Sequence, residues 1–144
     1  PYVFRENRYP GVPNLKIHRV TTEPFIAAGI EIIPIRVMHG KLPILGFRIG
    51  NMAYLTDLKS LPEEEYTKLE GLDVLIITAL RWDEHPTHES VGEALEQIGR
   101  IRPKESYLIH MSHRIGLQSQ VEKELPPHVH LAYDQLEIPK LQPV

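Results

Sequence analysis

The chain has no cysteine. That absence removes disulfides, thiolate zinc sites and cysteine nucleophiles together, and leaves histidine and the carboxylates as the side chains able to hold a transition metal. An excess of positive charge is also lacking. Lys and Arg number 16 against 19 Asp and Glu, the formal net charge is −3, and no local run of basic residues compensates. Nucleic acid is therefore a disfavoured partner, because binding it requires a basic footprint. No apolar run approaches the ~20 residues of a membrane span, and the opening residues do not read as a positively charged segment followed by a signal-peptide core. No membrane partner is expected, and the default location is cytoplasmic. The first residue is Pro1 rather than Met, which raises the expectation of an N-terminally truncated domain.

What is present is an ordinary globular composition. The 144 residues are 42% hydrophobic and 24% charged, enough for a single domain over residues 1–144 with a substantial core. Prolines cluster early, at Pro10, Pro13, Pro24 and Pro34, and suggest irregular or edge segments there. "IEIIPIRVMHG" (Ile30 to Gly40) reads as a strand closed by His39, with an edge or bulge at Pro34. "ILGFRIGN" and "MAYLTD" flank the turn signal Gly50-Asn51, so Ile44 to Asp57 is predicted to be a hairpin. "PEEEYTKLEG" reads as a helix, its Glu63 to Glu65 forming a solvated first turn. "DVLIITAL" is a short unbroken apolar run typical of a strand covered on both faces.

An amphipathic helix is predicted in "HPTHESVGEALEQIGRIRP", with Thr87 as N-cap, Glu89 in the first turn and Val91, Ala94, Leu95, Ile98 and Ile101 at helical spacing. "ESYLIHMSH" reads as a strand ending on His110, "RIGLQSQVEKEL" as a last helix, and "HVHLAYDQLEI" as one or two closing strands. A β-rich start followed by alternating helix and strand predicts an α/β sandwich.

Polar chemistry recurs at element ends. His39, Asp57 and His110 each close a strand, His88 opens a helix, and His113 follows His110 by three residues. In layered α/β folds such ends converge on one rim, and two histidines with an aspartate suit Zn²⁺, Mn²⁺ or Fe. A carboxylate at the tip of a buried strand also needs a hydrogen bond, a cap to make or a cation. Each residue has a plainer reading. Asp57 could cap the following turn, His39 could be a turn residue before Gly40, and His88 could be a solvent-facing helix start. His113 is equally a partner behind the ligands or an ordinary helix residue. His85 reads as loop surface near the same rim, and His128 and His130 read as strand residues rather than a metal pair.

The stretches "RVMHG", "AYLTD" and "YLIHMSH" resemble the later metal motifs of the metallo-β-lactamase-fold hydrolases. "THESVGEALEQIGRIRPKESYLIHMSH" is similar to the branch that contains the phosphoribosyl cyclic phosphate phosphodiesterase of phosphonate degradation. The resemblance runs over roughly residues 30–138. It implies the C-terminal portion of an αββα sandwich and a dinuclear Zn or Mn site, with His39 on one metal, His110 on the other and Asp57 bridging. His88 would contact the phosphate of a small (cyclic) phosphodiester as acid or hydrogen-bond donor. The superfamily's first motif, His-x-His-x-Asp-His, is absent; the sole His-x-His is His128-Val129-His130. The expectation is therefore an inactive portion of an active hydrolase, holding one metal ion or none. It would expose apolar surface along "DVLIITAL" or the early strands and tend to form a homo-oligomer. The rivals are a tRNA-processing-type nuclease of the same superfamily and a non-catalytic partner-binding domain.

Overall fold

A computed structural model describes residues 16–138, so Pro10 and Pro13 lie outside the described residues. Seven strands form one sheet: β1 (Phe25–Ala27), β2 (Ile30–His39), β3 (Leu42–Ile49), β4 (Met52–Leu55), β5 (Val74–Thr78), β6 (Glu105–Ile109) and β7 (Val129–Leu131). Their order across the sheet is their order in the chain. β1 to β4 are joined antiparallel, and β4 to β7 lie parallel to one another. The predicted hairpin is present, and Gly50 supplies the left-handed backbone (φ 56°) its short turn needs. This is a mixed α/β fold.

Pro34 has a physical reason for its place. Backbone N–H groups of alternate β2 residues point away from β3: Arg36 donates to Glu65 Oε2 and Met38 to the Ser60 carbonyl. Pro34 stands in that same phase, just past the stretch paired with β1, where it has no N–H to leave unsatisfied.

One row of side chains shows how the core is laid down. Ile35 pairs with Gly46; Leu55, Ile77, Leu108 and Leu131 continue in register from strand to strand. All four leucine and isoleucine positions after Gly46 are buried. Gly46 is required because a Cβ there would stand 2.5 Å from Leu55 Cδ2 and 2.9 Å from the Tyr54 carbonyl oxygen. The helical segments contribute Leu69, Val91, Ala94, Ile98, Ile115 and Val121 to the same cluster, so they cover this face of the sheet.

Several local expectations are corrected. Helix α1 (Val91–Ile101) is capped by Ser90, not Thr87: Ser90 and Glu93 form a reciprocal capping box, so Thr87, His88 and Glu89 belong to the preceding loop. The segment Glu63–Leu69 is a 3₁₀ helix, and Glu65 is buried rather than solvated, accepting from Arg36 N–H and pairing with Lys68 at 2.7 Å. The last predicted helix resolves into a 3₁₀ turn, His113–Ile115, and a single turn, α2 (Gln118–Val121). One closing strand, β7, is found among the described residues. Of the two places expected to expose apolar surface, the early strands do so, at Ile26, Ile30, Leu42 and Tyr54, while Val74, Leu75 and Ile77 of β5 are buried. No helix among the described residues is long and apolar enough to cross a membrane.

Candidate metal centre

Topology alone assembles the rim. β2 is antiparallel to β3 and β3 to β4, so β2, β4, β5 and β6 all run the same way, and their C-terminal ends share one edge. His39 ends β2, Asp57 follows β4, the loop with His85 and His88 follows β5, and His110 follows β6.

The backbone at two of these positions is unusual. Asp57 (φ 58°) and His110 (φ 61°) are both left-handed, a conformation that costs a non-glycine residue ~1 kcal/mol or more. Asp57 is fixed there by the neighbouring strand: its N–H donates to Thr78 Oγ1 at 2.7 Å, and Thr78 is fully buried. The kink turns both side chains out of the strand path and onto the rim. Asp57 Oδ1 then lies 3.4 Å from His110 Nε2 and 3.5 Å from His88 Nε2, while Oδ2 accepts from the Thr56 hydroxyl at 2.9 Å. Partial burial raises the Asp57 carboxyl, but the Thr56 hydroxyl, His110 and His88 outweigh it and hold the group below the usual carboxylate range.

The histidines pack around His88. Its ring stacks on His110 with centroids 4.8 Å apart and meets His39 edge-on at 4.6 Å. Desolvation lowers the pKa of His88, and the neighbouring His110 and His39 lower it further, which favours the neutral imidazole. His39 places Nδ1 2.9 Å from the Thr87 carbonyl. A carbonyl can only accept, so Nδ1 carries the proton and Nε2 keeps its lone pair, the arrangement usual in metal-binding histidines. The Thr87 N–H donates to His85 Nδ1 at 3.3 Å, and the Thr87 hydroxyl lies 3.0 Å from His88 Nδ1.

The expected trio was His39, Asp57 and His110. The three ligand atoms that converge within 4.8 Å of one another instead come from Asp57, His88 and His110, with His39 joined to them through the His88 ring. Two imidazole nitrogens and a carboxylate oxygen are a donor set that fits a divalent transition metal. His113 is exposed at the start of its 3₁₀ turn and makes no hydrogen bond or ion pair with this cluster among the described residues. His130 pairs with Glu105 at 2.8 Å and packs on Tyr107, and His128 is exposed.

Sequence reasoning missed the residues that support the cluster. Thr56 and Thr78 look like ordinary strand residues until the sheet sets them beside Asp57. Glu89, expected in the first turn of the helix, is fully buried next to His88, with no hydrogen bond to either carboxyl oxygen. Burial pushes its pKa up to about 8.

A family model described as "Beta-lactamase superfamily domain" matches residues 1–111. A crystal structure of a diphosphatase from the PhnP family superimposes with a TM-score of 0.81 at 36% identity, covering 84% of this chain and 47% of that one. Human tRNase Z, short form, superimposes with a TM-score of 0.61 at 22% identity over 78% of this chain and 44% of that one, a likeness of fold. A Porphyromonas gingivalis protein named octanoyltransferase is 47% identical over 138 residues, which are 94% of this chain and 28% of that protein. The chain thus spans under half the length of the diphosphatase and about a quarter of the transferase.

Proposed function

The chain belongs to the beta-lactamase superfamily, and we propose that its histidine-rich rim is part of a metal-dependent phosphodiesterase centre acting on a small phosphodiester, a cyclic one included. The observation that carries this reading is the convergence of Asp57, His88 and His110 side chains at one sheet edge, with the His39 ring packed edge-on against His88. Likeness to a diphosphatase at 36% identity supports phosphorus chemistry in particular. The fold likeness to tRNase Z offers a nuclease as the second reading, against which stands the net charge of −3. The transferase name belongs to a chain of which this one spans 28%.

Asp57, His110 and His39 are the residues we assign to holding Zn²⁺ or Mn²⁺, with Asp57 Oδ1 central. A divalent cation supplies, when bound, a Lewis acid beside the phosphoryl oxygens. The remaining work falls to the chain itself. Asp57 stays ionised because Thr56 and the imidazoles favour its charged form. His88, largely buried between His39 and His110, is placed to donate Nε2–H to a phosphate oxygen or to a leaving group. His39 is fixed by the Thr87 carbonyl, so the same loop that carries His88 also orients His39.

The test uses the full-length protein containing this chain, loaded with Zn²⁺ or Mn²⁺. Asp57→Asn should lose metal in an elemental assay and lose phosphodiesterase activity with it. His88→Ala should retain metal yet lose turnover by ~10²- to 10⁴-fold, the range for a general acid. Metal retention and full turnover in both variants would end the assignment; loss of metal in His88→Ala would move His88 from acid to ligand.

A further inference from the structure

Thr87 meets three histidines with three different groups. Its N–H donates to His85 Nδ1 at 3.3 Å, its carbonyl accepts from His39 Nδ1 at 2.9 Å, and its hydroxyl lies 3.0 Å from His88 Nδ1 and 3.3 Å from His85 Nδ1. Ser90 makes the N-cap bond of α1, so the Thr87 side chain is not engaged in capping. Its methyl lies against Gly40 at the β2–β3 turn, where an added Cβ would stand 3.1 Å from it. With the methyl seated there, the hydroxyl is left on the histidine side.

The protons can be placed from what each atom is able to do. His85 Nδ1 accepts from the Thr87 N–H, so it has no proton to give. His88 Nε2 faces Asp57 Oδ1 at 3.5 Å, and an ionised carboxylate only accepts. In a neutral His88 ring the proton therefore belongs on Nε2 and the lone pair on Nδ1; the reverse tautomer would point a lone pair at the carboxylate. His88 Nδ1 and His85 Nδ1 then present lone pairs to each other at 3.2 Å, which repels unless a donor serves them. The Thr87 hydroxyl is within reach of both and nearer to His88.

Resting on the reading of His88 as a donor to the substrate phosphate, we propose that Thr87 is a positioning residue whose hydroxyl donates to His88 Nδ1 and holds the ring in its Nε2–H tautomer. That tautomer is the one able to donate to a phosphate oxygen at the cluster. The same residue fixes His39 through its carbonyl, so one loop position sets the proton arrangement of two rim histidines.

The test compares the parent full-length protein with Thr87→Val and Thr87→Ala, which lack the hydroxyl, and with Thr87→Ser, which keeps it. In ¹⁵N-histidine-labelled protein, the His88 ring nitrogens are assigned by their loss in His88→Ala and read at about pH 8, above the ordinary histidine range, in metal-free and Zn²⁺-loaded forms. Protonated and unprotonated ring nitrogens resonate far apart. The parent and Thr87→Ser should carry the proton on Nε2, while Thr87→Val and Thr87→Ala should shift toward a mixture with Nδ1–H. In the Zn²⁺-loaded protein, kcat for a phosphodiester should fall about 2- to 12-fold in the two hydroxyl-free variants, the range of one neutral hydrogen bond, and recover in Thr87→Ser. A proton on His88 Nδ1 in the parent overturns this inference and the donor role of His88 together. Ring-nitrogen signals or kcat left unmoved in the hydroxyl-free variants overturn the inference alone. Absence of phosphodiester hydrolysis by the parent ends the functional reading, and the inference then stands or falls on the ring-nitrogen signals.

Discussion

Replacing Glu89 with glutamine isolates one of the least comfortable groups in the fold. Its side chain is fully buried, neither oxygen has a hydrogen-bond partner, and its pKa is pushed up to about 8 from 4.5. Desolvation is the main cause; Glu93 and Glu96 add to it, and Gln97 and Lys59 oppose it. Between pH 4.5 and pH 8 the unfolded chain has released this proton and the folded chain keeps it. Unfolding then releases a proton, so stability is complete below the unfolded value and falls as pH rises through the folded one. At 1.36 kcal/mol per pK unit, the loss between pH 5 and pH 8 is about 3 kcal/mol. The Glu89→Gln variant keeps the shape and does not titrate. Urea unfolding in the presence of a chelator, at pH 5, 6, 7 and 8, should show the variant gaining on the parent by that amount across the series. Parallel curves for the two proteins would mean that Glu89 does not hold a proton in the fold, and the desolvation argument would fail.

Two further substitutions probe what positions the rim. Gly46→Ala drives a methyl group into Leu55 and the Tyr54 carbonyl within the central core row and should destabilise by about 1–3 kcal/mol; an unchanged melting temperature would show that Leu55 can move aside. Ser90→Ala removes half of the capping box of α1 and should cost about 1 kcal/mol in chemical denaturation, whereas Thr87→Ala, at the residue the sequence pattern favoured, should leave the helix cap intact as judged by helical circular dichroism.

The positions of His39, Asp57 and His110 were legible because each closes an apolar run whose length and turn signals mark a strand, and strand direction then dictates a common rim. Their consequences for ligand geometry were not. Which imidazole faces Asp57 Oδ1 depends on the left-handed backbone at Asp57 and His110, which nothing in "LTD" or "IHM" announces. The cap of α1 was present in the letters, since Ser90-Val91-Gly92-Glu93 has the spacing of a capping box, but Thr87 and Glu89 offered a competing pattern of the same kind. The burial of Glu65 goes with the Arg36 N–H, 29 residues away along the chain, from which its carboxylate accepts. Local propensity carries no record of such partners. Trp82 likewise finds its partner far along the chain: the indole N–H donates to the Ile115 carbonyl, 33 residues away.

A sheet whose spatial order repeats its chain order has a simple assembly route. Each strand, as it leaves the ribosome, finds its partner already made, and no segment must thread back between two earlier ones. Contacts of this kind are short in sequence for the hairpins and moderate for the parallel steps, so the energetic cost of loop closure is spread along synthesis rather than concentrated at its end. Such a unit can also be lengthened at β1 or β7 without rearranging what lies between. Similar stretches stand in two relatives of different length, of which this chain spans 47% and 28%.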